Sequence, residues 1–88
     1  MNITVLLPDG TWDQYWDADP SNPFRGGLVS GIVRHEYNVG HDGTLTIRRL
    51  TYEGQDRGTV YHNMTLISEV DSAHYRPAGW LKAYETQV

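Results

Sequence analysis

Eighty-eight residues with seven Lys and Arg against eleven Asp and Glu, a formal charge of −4, read as one small domain spanning residues 1–88, without the basic face that nucleic acid or an anionic membrane requires. The absence of cysteine excludes disulfide staples, thiolate chemistry and Cys-ligated metal. At 39% hydrophobic and 20% charged the chain is globular in composition, and its aromatic mass, three Trp and six Tyr to one Phe, mostly carries a polar handle.

Ile3, Val5 and Leu7 alternate with Asn2, Thr4 and Leu6, the pattern of a half-buried strand, and Pro8-Asp9-Gly10 supplies turn chemistry. Thr11 to Asp17 reads as the returning strand, with Trp12 and Trp16 on one face and Asp13, Tyr15 and Asp17 on the other. The tryptophans, Trp80 included, are expected in the core, and the Asp-bearing side is expected to be a solvated acidic face. Ala18 to Gly27 holds Asp19-Pro20, Asn22-Pro23 and Gly26-Gly27 and reads as a loop. Leu28 to Val39 is a long third strand in which Gly31 marks a bulge or a close packing point. Gly40-His41-Asp42-Gly43 is a hairpin turn ending in Asp-Gly.

The fourth strand, Thr44 to Glu53, changes apolar phase at Arg48-Arg49, where a bulge or sharp twist is expected. Gly54 to Gly58 reads as a turn. Thr59 to Val70 is the fifth strand, with Val60, Met64, Leu66 and Val70 on one face. Asp71 to Gly79 reads as a loop and Trp80 to Glu85 as a last short strand. Together these predict an all-β fold: a small antiparallel meander of about six strands, strongly twisted or barrel-like. Unblocked edges in such a domain invite homodimerisation or strand addition by a partner.

The chemistry-bearing residues are dispersed. His35, His41, His62 and His74 fall on separate elements without metal-ligand spacing and read as turn and surface histidines. Asp13 and Asp17, four apart on one strand, would sit roughly 13 Å from each other, too far for a paired-carboxylate mechanism. The serines lack a nucleophile-elbow context, and Gly26-Gly27 lacks the Lys of a phosphate loop. Arg48-Arg49 reads as salt-bridged surface. The aromatic set of Trp12, Tyr15, Trp16, Phe24, Tyr75, Trp80 and Tyr84 has the composition of an interface, with a sugar-stacking platform as a third use. Tyr15, Phe24, Arg25 and Tyr75, in loop or opposite-face contexts, are the candidate partner-binding residues. No catalytic residue, metal or cofactor is assigned.

Tyr75-Arg76-Pro77-Ala78-Gly79-Trp80, with the short ending Leu81 to Glu85, resembles the tail of small β-rich accessory proteins of actinobacteriophages. The opening Ile3-Thr4-Val5 and Pro8-Asp9-Gly10-Thr11 hairpin is similar too. The resemblance covers roughly a quarter of the chain and implies a non-enzymatic protein of the bacterial cytoplasm that binds a host or phage protein. The opening residues show no basic export signal, and the lack of cysteine also suits the cytosol. The expectation is therefore a cytoplasmic protein-interaction module with a protein partner, no cofactor, and no nucleic-acid or membrane partner. Its alternative is a self-assembling structural or virion-accessory β subunit.

Overall fold

The computed structural model of the chain describes residues 1–21, 26–58 and 60–87. Six strands follow in order: β1 (Ile3–Leu6), β2 (Trp12–Tyr15), β3 (Leu28–Val39), β4 (Leu45–Asp56), β5 (Tyr61–Tyr75) and β6 (Lys82–Glu85), with one 3-10 turn at Pro77–Gly79. They form two three-stranded antiparallel sheets, β2-β1-β6 and β3-β4-β5, rather than one meander or a closed barrel. The departure comes from β6. After β5 the Pro77–Gly79 turn redirects the chain, and β6 pairs with the free side of β1, Leu6 opposite Lys82 and Ile3 opposite Glu85. No helix among the described residues is long and apolar enough to cross a membrane.

Local chemistry accounts for the hairpins. The Leu7 and Gly10 amides close the first turn on Thr11 O (2.9 Å) and Leu7 O (3.0 Å). Asp9 Oδ1 accepts the Thr11 hydroxyl (2.6 Å) and amide (2.9 Å), which holds its carboxyl below the usual carboxylate range. Asp42 repeats the motif on Thr44 in the β3–β4 turn, with the same consequence. Gly31 sits at φ +91° where the β3–β4 register slips, a conformation that suits glycine and confirms the expected bulge.

Two boundaries differ from the expectation. β4 runs on through Gly54 to Asp56, and the turn follows it, with the Arg57 amide donating to Val60 O at 3.0 Å. Gly54 is an in-strand close-approach site, since a Cβ there would lie 3.1 Å from Met64 Cγ and 3.4 Å from Ile32 Cδ1. β5 in turn continues through Asp71 to Tyr75 where a loop was expected. Its pairing with β4 slips at Ile47/Arg48, Thr51/Tyr52 and Glu53/Gln55. The irregularity expected at Arg48 is present, but β5 supplies the extra residue. Bulges let a strand keep pairing through apolar-phase changes that resemble a loop in sequence.

The main core is confined to one end. Ile3 and Val5 of β1 and Leu45 and Ile47 of β4 are fully buried between the sheets, with Leu7, Tyr15, Ala73, Tyr75, Trp80 and Ala83 packed around them. Trp80 Nε1–H donates to Gly43 O (2.9 Å), tying the 3-10 turn to the β3–β4 turn. Beyond this end the long sheet extends without a second layer from the small one. The molecule measures 46 × 24 × 14 Å with a radius of gyration of 15.2 Å, against about 12 Å for a compact chain of this length. Its exposed surface of 5939 Å² exceeds by about 700 Å² the roughly 5,200 Å² of a compact 10.0 kDa monomer.

Candidate functional site

The register of β1 decides which aromatic residues are inside. Ile3 lies opposite Tyr15 and Val5 opposite Asp13, so Tyr15 and Asp13 face inward toward the second sheet. Trp12 lies opposite Leu6 on the outer face and is 61% exposed, and Trp16 is 50% exposed. The expectation of core Trp12 and Trp16 is thereby reversed, while Asp13, on the inward-turned side, stays exposed and Asp17 is half-buried. Trp80 alone of the three packs against the core.

Tyr15 and Tyr75, two of the four expected partner-binding residues, are brought together at the seam between the sheets. Their hydroxyls are 2.5 Å apart, and Tyr75 Oη donates to Asp13 Oδ2 at 2.5 Å. A hydroxyl has one proton, so with Tyr75 donating to Asp13 it is Tyr15 that donates to Tyr75. Burial first, and then the bonds to Asp13 and Tyr15, push the Tyr75 phenol far above its ordinary range. Both rings are half-buried and their hydroxyls are already engaged. Phe24 and Arg25 lie outside the described residues.

Asp17 forms a second junction. Its carboxylate lies 3.0 Å from the Met1 amino group and 4.0 Å from Arg34 Nε, and it accepts the His35 amide at 2.9 Å. His35 is buried, correcting the surface assignment. Its Nδ1 lies 3.5 Å from Asp17 Oδ1 with no hydrogen-bond partner. Burial lowers its pKa, and the opposing pull of Asp17 does not restore it. On the opposite face of the long sheet Arg48 meets Glu69 at 2.7 Å, Asp71 at 3.4 Å and Glu36 at 3.8 Å, with Glu69 chiefly raising its pKa. That is the salt-bridged surface expected for Arg48. Among the described residues no three His, Cys, Asp or Glu side chains converge as a metal site.

β5 has the geometry of a contact element. Its inner edge is paired to β4, while no described residue hydrogen-bonds its outer edge through the backbone. Met64, Leu66, Ile67 and Val70 are all exposed along it, Ile67 and Val70 by half, and Val60 is exposed in the turn that precedes it. The other outer edge of this sheet is treated differently. Ala18 bridges Val33 through both backbone bonds (3.1 and 2.8 Å), and Asp17 and Met1 cap His35 N–H and O. Periodicity placed Val60, Met64, Leu66 and Val70 on one face, but the register slip at Thr51/Tyr52 puts Leu66 and Val70 on opposite faces of the sheet. Comparison with known protein families, curated proteins and solved structures finds no match.

Proposed function

We propose that this chain is a non-enzymatic protein-interaction module that takes a partner protein along β5. The observation that carries the reading is the 15-residue open edge, its apolar side chains exposed, while the opposite edge of the same sheet is capped at Val33 and His35. Strand addition supplies backbone hydrogen bonds to such an edge, and flanking apolar residues add burial. The surplus surface of about 700 Å² is close to the ~800 Å² that one partner buries in a standard interface. The finer role, a phage accessory factor acting on a host protein in the bacterial cytoplasm, rests on the resemblance of the two end segments alone.

The second reading, a self-assembling subunit, is favoured by the order of residues along β5. Antiparallel pairing of two copies about Ile67 sets Glu69 opposite Thr65 and Asp71 opposite Asn63. No like charges meet in that register.

The test combines sedimentation of the purified chain with affinity capture from a bacterial lysate, comparing the native sequence with an Ile67→Lys/Val70→Lys double variant. Both positions are half-exposed, so the variant keeps its fold. A captured protein lost in the double variant supports the module, and a concentration-dependent dimer lost in it selects self-assembly. A chain that stays monomeric and captures nothing, or captures equally well with both lysines, overturns the reading.

A further inference from the structure

The outer face of the small sheet carries a second surface, away from β5. Its residues follow from the parity of β1: with Ile3 and Val5 inward, Thr4 and Leu6 face out, and their cross-strand neighbours Gln14, Tyr84, Trp12 and Lys82 share that face. All of these but Lys82, together with Thr86 and Gln87, line a shallow cleft of about 430 Å³ with Trp12 on one side and Tyr84 on the other. Both rings are exposed. Strand spacing and a two-residue offset set their backbones about 12 Å apart on the diagonal.

The lining between the rings is neutral: apolar Leu6, the buried Thr4, the Thr86 hydroxyl, and the exposed amides of Gln14 and Gln87, which both donate and accept. Thr4 Oγ1 and Thr86 Oγ1 are 2.6 Å apart, and Gln14 Nε2 donates to Thr4 Oγ1 at 3.4 Å. The described lining holds no carboxylate, and the nearby Lys82 ammonium lies over the Tyr84 ring, 5.2 Å from its centroid.

From this we infer that the cleft is a binding platform for a neutral oligosaccharide. A sugar ring presents an apolar C–H face, which stacks on an aromatic ring, and hydroxyls at its rim that donate and accept at once. Amides and hydroxyls answer both roles where a charged group answers one. The spacing of the rings suits a chain of sugars better than a single ring. An anionic polymer finds no cationic track here and meets a chain of net charge −4.

The experiment is a glycan array probed with the full chain, followed by calorimetric titration with the hexasaccharides of β1,4-glucose, α1,4-glucose and β1,4-N-acetylglucosamine. The expected result is retention of at least one neutral glycan class, weakened by roughly tenfold or more in Trp12→Ala and in Tyr84→Ala and unchanged in Trp16→Ala. All three residues are exposed, and matching circular dichroism and urea midpoints confirm that the variants fold. Ile67→Lys/Val70→Lys should leave glycan binding intact, which separates this site from the β5 surface. No retention on the array, retention of acidic glycans only, or binding that survives Trp12→Ala overturns the proposal.

Discussion

The two ends of the long sheet are built from the same three strands and differ in what covers them. At the end near the β3–β4 turn, Leu45 and Ile47 are sealed by Ile3 and Val5 of the small sheet. Towards the other end Leu66, Ile67 and Val70 have comparable hydrophobicity and remain in water. Ile32 is an intermediate case, buried under its own sheet neighbours where Gly54 lets Met64 approach. The comparison teaches that side-chain apolarity and strand propensity do not make a core. A second layer does, and the small sheet is only four residues wide in each strand.

The largest effect that would sharpen this contrast is an isoleucine truncation at each end. Ile47→Ala should cost about 3 kcal/mol in urea denaturation, because it leaves a cavity in close-packed surroundings, whereas Ile67→Ala should stay within about 0.5 kcal/mol for the monomer. Equal losses at the two sites would mean that the distal half is covered after all.

Next comes the seam. Tyr75→Phe removes the hydroxyl between Tyr15 and Asp13 and should cost about 1 kcal/mol, because the half-buried Tyr15 hydroxyl loses its partner while the exposed Asp13 turns to water. An alkaline difference spectrum should gain no phenolate signal from Tyr75 where an ordinary phenol ionises, so native and Tyr75→Phe chains should give the same amplitude there.

Smaller still is Arg48→Met on the exposed salt cluster, which should move the urea midpoint only slightly and less in high salt, where a shift as large as that of Tyr75→Phe would show that the cluster is not solvent-screened.

The last prediction concerns sign alone. His35 has its pKa lowered in the folded state, so the unfolded chain binds the proton more readily. Stability is complete above the ordinary value of 6.5 and falls as pH drops from there toward the lowered folded pKa. Urea midpoints measured across that window should decline on acidification, and His35→Gln should remove that part of the slope. A native slope of opposite sign would show that Asp17, and not burial, governs the ring.

The candidate site was legible in part. The aromatic set contained the residues that matter, but Tyr15 and Tyr75 were grouped with exposed contacts because a tyrosine reads alike whether its hydroxyl meets water or another tyrosine. Trp12 and Tyr84 lie 72 positions apart, and only the pairing of both β2 and β6 with β1 places them beside one cleft. A signal was available in β1: if Ile3 and Val5 are core, Trp12 opposite Leu6 must face outward. Reading it required the β1–β2 register, which a tight turn suggests but tertiary packing enforces. For β5 the missing knowledge was whether a second layer existed.

By itself the sequence determined the number and order of the strands of this protein and the Asp9 and Asp42 turns, and it marked Gly31 as a bulge or packing point, because alternation and turn chemistry act over a few residues. It also set the parity of β1 and β2, and so which of their residues share a face, whereas the slips along β5 broke its parity. Only the tertiary structure decided which face was covered, that β6 would join β1, and that β5 would be left as an open edge. A period of two is symmetric between the faces of a sheet, and the choice between them is made by contacts far apart along the chain.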